Sequence, residues 1–117
     1  MKLFDAELKI MEVLWKDGDL TAKNIAEILN KQIGWSKTTT YTMIKRCIDK
    51  GAIERREPNF ICHPLVSIDD AREYETTELI NKMYNGEADQ LVASMLGSQL
   101  LSKEEIARLK QIIKDWE

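Results

Sequence analysis

The chain has 117 residues, 44% of them hydrophobic, and a formal net charge of −3. That length bounds it to one domain, or one small domain with a helical appendage, and the apolar content suffices for a real core. No apolar run reaches membrane-span length, Met1-Lys2 opens a mixed amphipathic segment rather than a leader, and two cysteines without CxxC spacing exclude a disulfide framework, so a soluble cytoplasmic protein is expected.

The net charge, taken whole, argues against a polyanion as partner, but its distribution along the chain argues for one. Residues 1–66 carry a net +2 and residues 67–117 a net −5. Between Lys31 and Arg56 seven basic residues face only Asp49 and Glu54, so the positive field is local.

In chain order, the spacing of Leu8, Met11, Leu14 and Trp15 predicts a first helix over about 5–16, stopped at Gly18. Thr21 is placed to cap a second helix over about 22–30, with Ile25, Ala26, Ile28 and Leu29 as its core positions. After a short connection, the stretch WSKTTTYTMIKRCIDKG predicts a third helix, capped by Ser36 and ended by Gly51. Thr40, Met43, Ile44, Cys47 and Ile48 form its apolar stripe. The opposite face carries Lys37, Thr38, Tyr41, Thr42, Lys45 and, at its edge, Arg46. Hydroxyls and cations are the groups that hydrogen-bond phosphates and base edges. A solvated face is the bland alternative, but consecutive threonines are poor helix formers, so propensity did not select them. Two short helices, a tight connection and a polar third helix make a helix-turn-helix.

Beyond Gly51 a hairpin is expected: a strand over 52–57, a turn at Pro58-Asn59, and a return over 60–63 ended by Pro64. This is a wing, and its Arg55 and Arg56 would flank a nucleic-acid groove. Charge defending a strand edge is the competing explanation. From Ser67 the chain reads as helix. The first helical segment ends near Asn85-Gly86, a second covers about 87–96, and Ser102-x-x-Glu105 opens the last as a capping box. Their apolar positions, Leu79, Ile80, Met83, Leu91, Met95, Ile106, Leu109, Ile113 and Trp116, exceed what a small domain covers, so a second copy is expected to bury them. The fold class is therefore mainly α: a winged helix-turn-helix domain over 1–66 with a small β-hairpin wing, then a helical dimerisation region over 67–117.

Enzymatic motifs are missing. His63 is the one histidine, and as a strand neighbour of Cys62 it points to the opposite face, so the two form no nucleophile pair. There is no glycine-rich phosphate loop, no metal set and no expected cofactor.

The residues Ala6-Glu7-Leu8, Met11-Glu12-Val13-Leu14-Trp15, Thr21-Ala22, Ile25, Trp35-Ser36, Thr39, Thr42, Arg46 and Lys50-Gly51 resemble the BlaI/MecI/CopY repressors of bacteria. Pro64-Leu65-Val66, Leu79, Met83-Tyr84-Asn85-Gly86 and Leu91-Val92 extend the likeness over nearly the whole chain. The resemblance implies a transcriptional repressor that binds a palindromic operator in double-stranded DNA as a homodimer. By position it implies Thr38, Thr39, Tyr41 and Thr42 in the major groove, with Ser36, Lys45, Arg46, Arg55 and Arg56 near phosphates. A sensor-linked protease is the implied input in the penicillinase branch, where an Asn-Phe bond is cut; Ser94-Met95 stands there in this chain. The cysteine hook of the copper-responsive branch is not present, and the wing tip reads Pro58-Asn59-Phe60 in place of Gly-Arg-aromatic. A winged-helix protein-interaction module without nucleic acid is the alternative, and the acidic second half is what favours it.

Overall fold

Helix α1 (Asp5–Asp17) starts where the Glu7 carboxylate turns back to accept the Phe4 N–H at 2.8 Å, and it ends at Gly18, whose N–H reaches Leu14 O. The computed structural model, which describes residues 1–117, divides into two compact units, Met1–Glu75 and Thr76–Glu117. In the first unit β1 (Leu20–Thr21) leads into α2 (Ala22–Ile33), capped by Thr21 Oγ1 accepting from Asn24 N. This helix runs three residues past the expected Asn30. Nothing in Lys31-Gln32-Ile33 breaks a helix, and the stop is Gly34, left-handed at φ 72°.

Helix α3 (Lys37–Lys50) has the expected caps, Ser36 accepting from Thr39 N and Gly51 at φ 82°, ψ 17°. Its apolar stripe faces α1 and α2: Thr40, Ile44 and Cys47 are fully buried, with Met43 and Ile48 packed against the same cluster. Ile10, Met11, Leu14, Ile25, Leu29 and Ile53 are the largest other side chains of the core. At ~1.5–3 kcal/mol per buried aliphatic side chain, this cluster is the main stabilising contribution in the first unit. Thr40 sits there without an unpaired hydroxyl, because its Oγ1 donates to Ser36 O at 3.2 Å.

The wing is β2 (Ile53–Arg56) and β3 (Ile61–Pro64), antiparallel, with Arg55 opposite Cys62 and Arg56 opposite Ile61. The sheet has three strands rather than the expected two, in the order β1-β3-β2. Leu20 and Thr21 pair with Cys62 and Ile61, a contact too short to leave any periodicity in the sequence. The return strand also begins one residue late and includes Pro64, because Phe60 adopts φ 53° and belongs to the turn. This is a winged helix-turn-helix. Trp15 Nε1 donates to Val66 O at 3.0 Å, fixing the exit of the wing to α1.

Helix α4 (Ile68–Met83) opens with Ser67 and Asp70 capping each other, at 3.0 and 3.1 Å. Its apolar spacing predicts one buried face, yet none of its residues is buried. In the second unit α5 (Ala88–Gly97) and α6 (Lys103–Trp116) follow, the latter with the expected Ser102/Glu105 capping box. Tyr84 donates to Ser94 Oγ at 3.2 Å, tying the end of α4 to α5. No helix is long and apolar enough to cross a membrane.

Candidate nucleic-acid interface

The N-terminal half of α3 projects its polar side chains away from the core. Lys37, Thr38, Tyr41, Thr42 and Lys45 line one open recess on the helix surface, with Thr38, Tyr41, Thr42 and Lys45 at i, i+3, i+4 and i+7 and Lys37 one turn before Tyr41. All but half-buried Tyr41 are exposed, as are Ser36, Thr39 and Arg46. The three consecutive threonines, however, do three different things. Thr40 is core. Thr39 belongs to the cap, its Oγ1 accepting from Ser36 Oγ at 3.0 Å. Only Thr38 sends its side chain into the recess, and its carbonyl accepts the Thr42 hydroxyl at 2.9 Å. Thr42 is exposed and its hydroxyl proton is already engaged, so its methyl and its oxygen lone pairs are what it has left to offer, which suits a thymine methyl or an amino group on a base edge.

Tyr41 is half withdrawn because its ring meets Phe60 of the wing, edge to face, at 5.9 Å and 88°. Lys37 Nζ lies 5.6 Å from the centre of the Tyr41 ring. On the wing, Arg55 stacks over Phe60 with its guanidinium carbon 3.7 Å from the ring centre, while its Nε donates to Glu57 at 2.5 Å. That hydrogen bond holds the Glu57 carboxyl below the usual carboxylate range, with the Phe60 N–H adding to the effect. Arg56 contacts Glu54 at 3.3 Å and Asp19 at 3.7 Å, and Asp19 also holds His63 Nδ1 at 2.8 Å. Both arginines remain about half exposed.

The local positive field is smaller than its residue count. Lys50 turns inward, its Nζ 2.5 Å from Glu7 Oε1 and 2.8 Å from Lys2 O. Burial pushes Glu7 up, but the Lys50 hydrogen bond, the Phe4 N–H and the Lys50 and Arg46 charges outweigh it, and the carboxyl stays ionised below its ordinary range. Buried Glu7 and the wing aromatic Phe60 are not singled out as site or core residues by sequence reasoning. A glutamate on the apolar face of α1 was a signal for the first, and an aromatic at a turn for the second.

The cysteines are core residues. Burial pushes Cys47 up to about 12, with the Glu7 charge adding to it, and Cys62 up to about 11, so both remain thiols. No group of three or more His, Cys, Asp or Glu is arranged to hold a metal ion.

Residues 3–115 match the penicillinase repressor family. The chain belongs to that family. It is 33% identical to the penicillinase repressor of Bacillus licheniformis, over 97% of this chain and 91% of the relative. It is 32% identical to the methicillin resistance regulatory protein MecI of Staphylococcus aureus, over 96% and 93%. Two solved structures resemble it at 32% identity. One is the DNA-binding domain of the repressor BlaI, with a TM-score of 0.55 over 59% of this chain and 87% of that one. The other is monomeric Bacillus licheniformis BlaI in complex with the blaP half-operator, with a TM-score of 0.52 over 60% and 88%. As a member of the penicillinase repressor family the chain is a transcriptional repressor and not an enzyme.

The residues expected to dimerise lie at the surface of the isolated chain. Leu79, Met83, Leu109, Ile113 and Trp116 are exposed, Trp116 at 90%, while Ile80, Leu91, Met95 and Ile106 are half-buried. Leu100, at 69%, is a further exposed apolar residue that the helical spacing does not pick out, since it lies between α5 and α6.

Proposed function

We propose that this repressor binds a palindromic operator in double-stranded DNA as a homodimer, with α3 in the major groove and the wing beside the backbone. One observation carries this most: the recess of Lys37, Thr38, Tyr41, Thr42 and Lys45 combines cations with a methyl and hydroxyl surface, and no carboxylate lines it. Ser36 and Thr39 at the start of α3, together with Arg46, Arg55 and Arg56, supply phosphate contacts. The relative solved in complex with a half-operator supports DNA as the partner. Each copy would dimerise through residues 67–117, where α4, α5 and α6 contain no buried side chain. Residues 1–66 would be the DNA-binding domain.

An upstream signal ends repression in this reading, through β-lactam sensor-type proteolysis or another stress input in the cytoplasm. The penicillinase and methicillin-resistance names of its relatives support the first. Ser94 and Met95 lie inside α5, so a protease acting there would have to unwind that helix to take it as an extended strand. The deciding experiment is a salt-titrated binding assay on a duplex selected from a random pool and on its scrambled counterpart. Binding to the selected duplex that is much tighter at every salt supports the reading. Absence of duplex binding at low salt leaves the winged-helix protein-interaction module.

A further inference from the structure

Phe60 occupies a backbone conformation that aromatic residues avoid. Its φ is +53°, directly after Asn59 at +74°, so two consecutive left-handed residues close the hairpin. Asparagine tolerates that region and phenylalanine does so poorly, whereas glycine would meet the needs of the turn at no steric cost. The turn alone therefore does not explain the ring. An outlier of this kind persists where the surroundings over-determine it, and such positions cluster at ligand clamps.

The surroundings here come from three elements. The Phe60 ring meets Tyr41 of α3 at 5.9 Å, and Arg55 of β2 lies over it at 3.7 Å. Its carbonyl accepts the Ala22 N–H at the start of α2 at 3.0 Å, and its N–H donates to Glu57 at 3.4 Å. Glu57 is also the carboxylate that holds Arg55. Lys37, Tyr41, Phe60 and Arg55 thus form one series of cations and rings, running from the helix to the wing.

We propose that Phe60 is a positioning residue for DNA binding: its ring locks the wing to α3 through Tyr41 and holds the Arg55 guanidinium in place for a phosphate. The proposal rests on the DNA-binding reading and adds a specific coupling to it. Released from the ring, the guanidinium of a free hairpin would leave its phosphate unneutralised, so the contact itself is at stake and not only the entropy of ordering it.

The test uses the full chain and a random-sequence duplex, with affinity measured at several salt concentrations and thermal melting of every variant. Phe60→Gly removes the ring and relieves the backbone. It should lower affinity severalfold and flatten the salt slope by about 0.9, one phosphate contact. Phe60→Tyr keeps the stack and should bind as the wild type does. Arg55→Ala should reproduce the loss of Phe60→Gly, and the double variant should be no weaker than either single one. Phe60→Leu, which preserves apolar volume, should show the same non-additivity with Arg55→Ala, and it takes over the test if the glycine variant unfolds. A wild-type slope in Phe60→Gly, or an Arg55→Ala loss undiminished in the glycine or leucine background, overturns the proposal. A wild-type chain that binds no duplex at low salt overturns the DNA reading itself, and that outcome is distinct because it involves no variant.

Discussion

Glu7, in the first turn of α1, and Lys50, in the last turn of α3, form an ion pair at 2.5 Å with the carboxylate side chain only 3% exposed. The pair ties the start of α1 to the end of α3, since Lys50 Nζ also bonds Lys2 O and sits 4.3 Å from the Phe4 ring centre. Removing one partner of a buried pair leaves a buried charge without compensation, at about 3–5 kcal/mol. Lys50 is 27% exposed, so Lys50→Met should fall toward the lower end of that range. The pH dependence follows from the depressed Glu7 carboxyl. Its stabilising contribution is full above the ordinary value of 4.5 and is lost as pH falls through the lower folded-state value. Melting temperature measured from pH 6 to pH 3 should therefore drop more steeply for the wild type than for Glu7→Gln. Parallel curves would show that the pair does not drive acid sensitivity.

Lys50 should also be silent in DNA binding. It lies within the basic stretch from Lys31 to Arg56 but is engaged with Glu7. Lys45→Ala should flatten the salt dependence by about 0.9 in log K against log salt, and Arg55→Ala and Arg56→Ala should weaken all duplexes similarly. Lys50→Met should lower the melting temperature and leave the slope untouched. A slope change in Lys50→Met as large as that in Lys45→Ala would mean that the lysine leaves Glu7 to reach a phosphate.

Chelator treatment should alter neither the melting temperature nor operator affinity. Structural zinc wants four thiolate or imidazole ligands. The three candidates here are a thiol pushed up to about 12, another pushed up to about 11, and His63, which is held by Asp19. Stoichiometric metal in purified protein, lost together with DNA binding, is the contrary result.

The apolar surface of α6 should be an interface between two copies. Ile113 and Leu109 lie one turn apart and are 59% and 37% exposed in the isolated chain. Leu109→Asp or Ile113→Asp would place a charge in that interface and should shift the protein from dimer to monomer at micromolar concentration, read by sedimentation equilibrium. A wild-type chain already monomeric under those conditions contradicts the dimer.

Much of this was legible in the residues because helix caps are local. Ser36, Gly51, Thr21 and the Ser102/Glu105 box each depend on a few neighbours, and each cap stands where its residues predict. The exposed face of α3 was legible for the same reason, as one helix fixes which side chains share a side. Contacts that join distant segments were not. The strand Leu20–Thr21 exists only through its pairing with β3, far along the chain, and Lys50 looks like one more surface cation until α1 is packed beside it. Thr39 illustrates the limit within a helix: its spacing cannot tell a base contact from a cap hydrogen bond, and here the hydroxyl is engaged with Ser36. Phe60 reads as the first residue of a strand until its backbone places it in the turn.

In the proposed complex the outer face of α3 reads sequence, and Thr42 tests this most directly. Its hydroxyl donates to Thr38 O, so its methyl and its oxygen lone pairs are what it has left for a base edge. The measurement is a paired titration of Thr42→Ala and Lys45→Ala against the selected duplex and its scrambled form, at one salt concentration, with melting curves to confirm folding. Thr42→Ala should lose about 1–3 kcal/mol on the selected duplex and little on the scrambled one, because base contacts specify while phosphate contacts only position. Lys45→Ala should lose the same amount on both. Equal losses for Thr42→Ala on the two duplexes would contradict this and place sequence reading elsewhere on the protein.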